Sequence, residues 1–284
     1  MQAFESSAAE IDLEPVAAPA PPLGRAIVIT SGKGGVGKTT TSANVGAALA
    51  KRGHRVILVD TDIGLRNLDL VLGVEKRIVF DLVEVVEGRC QVRQALIRDK
   101  RFESLSLLPA AQTREKEAVS GPQMVRVIDE LAELADYVII DCPAGIEHGF
   151  RNAIAGAREA IVVTTPEVSA IRDADRVVGK LTEAGIPLRL IVNRVRPEMV
   201  KSGDMMSVED VCEILQAELL GAVPEDEEVI DTTNRGEPIV LDSTHRLAEI
   251  YDKIARRLAG EIVPFTNLNA PGFIGRLFTL WKAG

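Results

Sequence analysis

Short, continuous apolar runs alternate with longer stretches of helical periodicity from about residue 25 onward. The runs cover 26–29, 56–59, 105–108, 138–140, 161–163, 188–192 and 219–223. Most are unbroken rather than alternating, the pattern of strands in a parallel sheet covered on both faces. Helical patterns fall between them near 39–52, 121–135, 169–184, 207–217 and 244–259. Repeated β-α order predicts an α/β fold. The sheet is doubly wound and mostly parallel, with helices on both faces and ligands at the carboxyl ends of its strands. Neither an internal repeat nor a linker interrupts 25–265, so we expect one domain there, preceded by an extension (1–24) and followed by a linker and terminal helix (266–284).

Candidate chemistry sits at the ends of three runs. The first is followed by Ser31-Gly32-Lys33-Gly34-Gly35-Val36-Gly37-Lys38-Thr39-Thr40, which matches G-x-x-x-x-G-K-[ST] between a strand and a helix. Glycines let backbone N–H groups close on an anion, and the helix start adds partial positive charge. Lys38 is placed to meet the β/γ-phosphates and the Thr39 hydroxyl to ligate Mg²⁺. This makes the loop a phosphate-binding element, the P-loop of a nucleotide-binding α/β fold. The second run ends in Val59-Asp60-Thr61-Asp62, two carboxylates that can face the same phosphates from extended chain. The third is Tyr137-Val138-Ile139-Ile140-Asp141, which reads as a strand whose terminal carboxylate holds Mg²⁺ through its water shell. Pro143-Ala144-Gly145 behind it can hinge as a switch.

The second lysine in the loop, Lys33, resembles the deviant Walker A loop of the MinD/ParA family of ATPases. So do Gly64-Leu65-Arg66-Asn67-Leu68-Asp69, Asp141-Cys142-Pro143-Ala144-Gly145-Ile146-Glu147 and Ala170-Ile171-Arg172-Asp173-Ala174-Asp175-Arg176, and the likeness runs with few gaps over 25–284. The resemblance implies an ATPase that forms an ATP-dependent homodimer and hydrolyses slowly. Lys33 would reach the partner's nucleotide, Asp62 would orient the attacking water, and Asp60, Asp141 and Thr39 would serve Mg²⁺. Asn193 and Arg194 would read the adenine, with Pro224 and Glu225 as the opposite wall of its pocket. Arg172, Asp173 and Arg176 would form a partner surface for a MinC-like division inhibitor and a MinE-like activator. The branch that places the division septum fits best. A DNA-partition ATPase and a flagellar-number regulator of the same superfamily remain alternatives. Cys142 departs from the serine frequent in the family.

Charge and composition narrow this further. A net charge of −9 argues against a broad nucleic-acid-binding face. Aromatics are only 4%, so the core must come from Val, Ile, Leu and Ala. Three cysteines without C-x-x-C spacing suit a reducing compartment and no disulfide framework. No apolar run approaches the roughly 20 residues of a spanning helix. Residues 1–24 hold four acids, no Lys or Arg, and Ala-Pro-Ala-Pro-Pro, a composition for a PPII-leaning disordered extension. At the other end, Phe273, Ile274, Leu277, Phe278, Leu280 and Trp281 fill one arc at about 100° per residue, with Arg276, Thr279 and Lys282 opposite. That is an amphipathic helix suited to an anionic membrane surface. A cytoplasmic protein held peripherally on the inner face of the cell membrane is therefore expected.

Overall fold

The computed structural model describes residues 23–266 and 268; the acidic extension and the amphipathic segment lie outside the described residues. Each of the seven apolar runs forms a strand: β1 (Arg25–Thr30), β2 (Val56–Asp60), β4 (Leu105–Leu108), β5 (Tyr137–Asp141), β6 (Glu159–Thr164), β7 (Leu188–Val195) and β8 (Glu218–Pro224). The pattern missed β3 (Ile97–Arg98), two residues paired antiparallel to β4 at one edge. Among the described residues, eight strands form one sheet in the order β3-β4-β2-β5-β1-β6-β7-β8, all other neighbours being parallel.

The runs are unbroken because successive residues serve opposite layers. Ala26 and Val28 face one core, with Val138, Ile140 and Val162. Ile27 and Ile29 face the other, with Leu58, Ile139 and Val163. Helices Gly121–Leu134, Val168–Glu183 and Val208–Leu215 close the first core. Lys38–Lys51 and Arg246–Leu258 close the second. The five predicted helices are these five, within two residues at each end. Lys38–Lys51 is buried nearly all round between the sheet and Arg246–Leu258, which is why it is Ala-rich rather than amphipathic. Several short helices went unpredicted, including Leu68–Leu72, His148–Ala155, Pro197–Ser202 and Glu228–Asn234; each is too short to show periodicity.

Candidate active site

β5 lies between β2 and β1, with Asp141 in register with Asp60 on one side and Ile29 on the other. The ends of the three chemistry-bearing runs therefore meet at one point on the carboxyl edge, where strand order reverses. Gly37 caps the helix Lys38–Lys51 in the left-handed region (φ 94°), and Gly35 is also left-handed (φ 79°). A Cβ on Gly34 or Gly35 would meet nothing within 4 Å, so the loop presents bare backbone to open space. At Gly32 a Cβ would lie 2.2 Å from the Asp173 carbonyl, so the loop is pressed against the helix Val168–Glu183. The cleft above has a volume of about 530 Å³, with Gly35, Lys38, Thr39, Asp62, Pro143 and Arg194 on its walls.

Asp141 is the hub. Its Oδ2 accepts from the Thr39 hydroxyl (2.7 Å) and its Oδ1 from the Ser42 hydroxyl (2.8 Å), while Lys38 Nζ lies 3.7 Å from Oδ1. Lys38, Ser42 and Asp141 are all buried. A cation and two donors compensate a charge that would otherwise be costly to bury. Sequence reasoning missed Ser42. Its position three residues after Thr39 in the helix puts it on the same face, and that spacing was the available signal.

Asp60 points back into the protein. Its Oδ1 accepts from the Asp62 amide (2.9 Å), and Oδ2 from the amides of Asn67 (3.2 Å) and Leu68 (3.1 Å). It thus holds the 62–68 loop against the strand end. Burial, and then the charge of Asp141, push its carboxyl up to about 7. Asp62, half-buried, lines the cleft, as do Leu65 and Asn67. Thr61 donates through both its amide (3.0 Å) and its hydroxyl (2.7 Å) to the Asp141 carbonyl, tying the two acid-bearing segments together. The switch segment is tied in too, since the Gly145 amide donates to the Ser31 carbonyl (3.0 Å). Cys142 is buried, and burial raises its thiol to about 12, so it is an inert packing residue.

Toward β7 and β8 the site opens. The Asn193 Nδ2 donates to the Val36 carbonyl (2.8 Å), so this buried amide braces the P-loop. The exposed Arg194 adopts φ 56° at an irregularity in the β7–β8 register. Pro224 pairs with Val195, and the Glu225 carboxylate is ion-paired with Arg196. Arg194, Arg196, Met199 and Glu225 wall a second cleft of about 750 Å³ that shares Arg194 with the first.

Residues 27–239 match the model of the CobQ/CobB/MinD/ParA nucleotide binding domain. The septum site-determining protein MinD of Bacillus subtilis is 59% identical over 245 residues, 85% of this chain and 91% of the relative. That of Synechocystis is 53% identical over 250 residues, 87% and 94%. The chain belongs to the MinD/ParA family. Within it, the resemblance to MinD extends to structure. The MinC:MinD cell division protein complex of Aquifex aeolicus is similar at TM-score 0.81 and 49% identity, over 86% of this chain and 99% of that one. A septum site-determining MinD complexed with Mg-ADP, from Pyrococcus horikoshii, matches at TM-score 0.76 and 33% identity, over 83% and 96%. The fold is that of a P-loop MinD/ParA ATPase, and nucleotide with Mg²⁺ is what such a site accommodates. The donor chemistry agrees: bare loop amides and a buried lysine suit phosphates, and a hydroxyl beside a carboxylate suits a hard cation.

Lys33, the residue that distinguishes the MinD/ParA loop, is exposed. It reaches Ser169 Oγ (3.0 Å) and Glu167 (3.7 Å) at the start of Val168–Glu183, away from Lys38. Arg172 and Arg176 are exposed on that helix and Asp173 is half-buried where it backs Gly32. The surface expected to receive partners is thus the outer side of the helix supporting the phosphate loop. Phe273, Ile274, Leu277, Phe278, Leu280 and Trp281 lie outside the described residues. Among the described residues, no helix is long and apolar enough to cross a membrane.

Proposed function

We propose that this chain is a MinD-type ATPase that dimerises on binding ATP with Mg²⁺, attaches to an anionic membrane through its C-terminal amphipathic helix, and recruits a MinC-like inhibitor to control division septum placement. Slow hydrolysis, stimulated by a MinE-like activator, releases it. The observation that carries this reading is the pairing of a two-lysine phosphate loop with the Lys38–Thr39–Ser42–Asp141 cluster at one strand edge.

Each residue has a defined part. The loop amides and Lys38 hold the β/γ-phosphates, and Lys38 moves from Asp141 toward the added negative charge. Thr39, Asp60 and Asp141 would serve Mg²⁺, and Asp60 also holds the loop beside them through the amides of Asp62, Asn67 and Leu68. When bound, Mg²⁺ would supply charge neutralisation for the phosphates. Asp62, on the cleft wall, orients the attacking water. Lys33 leaves Ser169 and Glu167 to reach the nucleotide of a second copy. Asn193, Arg194, Pro224 and Glu225 form the adenine end.

Membrane residence follows from counting helices. Six apolar side chains at roughly 1.5–3 kcal/mol each give a gross upper bound for interfacial burial. Ordering about a dozen residues at ~1–2 kcal/mol each is comparable, so one helix is marginal. Two helices on one dimer make the second insertion intramolecular and raise avidity roughly 10²–10⁴-fold. Sedimentation with anionic liposomes in ATP, ADP or no nucleotide tests this directly: binding confined to ATP is expected. Equal binding in ATP and ADP by a chain that dimerises would overturn the counting mechanism. Lys33→Ala should fold and bind nucleotide yet stay monomeric with ATP and Mg²⁺ in analytical ultracentrifugation.

A further inference from the structure

The chain leaves helix Arg246–Leu258 and turns back along it, held by that helix's cationic side chains. Arg257 donates from Nε to the Val263 carbonyl (2.9 Å) and from Nη2 to the Pro264 carbonyl (2.7 Å), and its guanidinium lies 4.1 Å from the centroid of the Phe265 ring. Lys253 Nζ bonds the Thr266 hydroxyl (3.2 Å), and Arg246 donates to the Leu268 carbonyl (3.0 Å). These partners step from the end of the helix to its start. Residues 263–266 and 268 therefore lie progressively nearer the carboxyl edge of the sheet, where the nucleotide cleft lies.

This return strap forms one wall of an apolar groove of about 370 Å³ on the β8 edge. Val200, Val208, Leu219 and Ile250 line it, and Phe265 and Leu268 come from the strap. Arg257 Nη1 also donates to the Leu220 carbonyl (3.0 Å), satisfying an edge-strand acceptor beneath the groove. A volume in the range of about 300–1,000 Å³ is what an enclosed apolar ligand needs, and one or two aromatic side chains fit it. Phe265, on its wall, remains half exposed (53%).

We infer that this groove receives the chain's own C-terminal amphipathic segment, 273–281, and that the membrane-facing side of that segment is sheltered there when no membrane holds it. The occupant is specified by connectivity. Leu268 lies on the groove wall, and only four residues, Asn269 to Gly272, precede Phe273. Five Cα steps from Leu268 to Phe273 span at most about 18 Å, so Phe273 cannot travel far from the groove. Pro271-Gly272 is a turn-forming pair in the sequence at that point. Intramolecular tethering gives Phe273, Phe278 and Trp281 an effective concentration near millimolar, which no separate partner of ordinary abundance matches. One apolar arc cannot occupy the groove and a bilayer together, so docking competes with membrane attachment. Pro197 and Val200 line the groove while Met199 and Val200 line the 750 Å³ cleft next to the P-loop, so one short helix, Pro197–Ser202, separates the two spaces. Docking itself rests on the amphipathic reading of the segment; only its effect on membranes rests on the proposed function.

Trp281 is the chain's single Trp, so its fluorescence reports the segment alone. The test uses the full chain with ADP and no lipid, measuring emission and acrylamide quenching. Two variants release the segment: Val208→Lys at the groove and Phe278→Glu in the segment. Wild type should show a blue-shifted, protected Trp281 at all protein concentrations, and both variants should make it several-fold more quenchable. If nine-tenths of the wild type is docked, Val208→Lys should bind phosphatidylglycerol vesicles in ADP about tenfold more tightly. Should Val208→Lys fail to fold, judged by nucleotide uptake, Phe278→Glu still decides, because its change lies outside the domain. Trp281 as quenchable in wild type as in Phe278→Glu would overturn the inference. So would protection lost on dilution, which would place the segment in a second copy. Protection and release without vesicle binding by any variant would uphold the docking and overturn the membrane reading instead.

Discussion

The two ends of the cleft are built differently. At the phosphate end, Lys38, Ser42, Asp60 and Asp141 are buried; Asp141 is hydrogen-bonded by Thr39 and Ser42 and ion-paired with Lys38, and Asp60 is held by the amides of Asp62, Asn67 and Leu68. At the base end, Arg194 and Glu225 are exposed, the β7–β8 register shifts, and a wide cleft lies open beside Met199 and Arg196. At the phosphate end the buried groups already compensate one another's charge, so only the lysine side chains need to shift toward an added phosphate. The other end, proposed to take the base, is a cleft of about 750 Å³ with exposed walls. A preorganised electrostatic site contributes most to catalysis, so lesions should be severe at the first end and graded at the second.

The largest effect is expected for Lys38→Ala. It removes the cation from the phosphates and leaves the Asp141 carboxylate without one, so hydrolysis should fall by about 10²–10³-fold or more. Steady-state phosphate release measures it. Asp62→Ala comes next. Nucleotide uptake should persist while turnover drops roughly 10²-fold, giving a long-lived dimer by size-exclusion in ATP. Wild-type turnover in that variant would reduce Asp62 to a loop acid.

Ser42→Ala sharpens the comparison. It strips one donor from a buried carboxylate, which costs about 1–3 kcal/mol. The loss should appear as a lower unfolding midpoint without nucleotide. At the base end, Asn193→Ala should weaken nucleotide binding by about threefold to tenfold, the worth of a single neutral hydrogen bond. Isothermal titration gives that value; a loss as large as that of Lys38→Ala would erase the distinction between the ends.

The smallest effect lies outside the cleft. Arg101 donates to the carbonyls of Leu72 (2.7 Å) and Gly236 (2.9 Å) while paired with Asp99 (2.7 Å), bracing the helix after the Asp62 loop. Burial alone would raise the Asp99 carboxyl, but the Arg101 hydrogen bonds and charge outweigh it and hold it below its ordinary value. A depressed carboxyl stabilises the fold above about pH 3.8, its unfolded value, and that contribution is lost as pH falls through the folded value. Asp99→Asn should therefore lower stability slightly at pH 7 and flatten its decline below pH 4, as chemical denaturation at both pH values would show.

Sequence alone determined seven of the eight strands among the described residues and the phosphate loop, because both are local; β3, two residues long, it did not. Unbroken apolar runs such as 138–140, bounded by turn residues, read as strands covered on two faces, and four glycines before Lys38 between a strand and a helix read as a tight anion-binding turn. Asp141 and Asp60 were legible as acids at strand ends, yet the groups each one bonds were not. Only strand order makes β5 the neighbour of both β1 and β2, placing Asp141 at the hub and turning Asp60 inward onto the amides of Asn67 and Leu68. Asn193 bracing Val36 and Arg257 strapping residues 263–264 likewise depend on partners more than a hundred residues away, or across a helix face that periodicity cannot orient. Periodicity records which side of an element is apolar. Which neighbour that side meets is settled by packing, where burial of all the apolar faces at once selects a single arrangement.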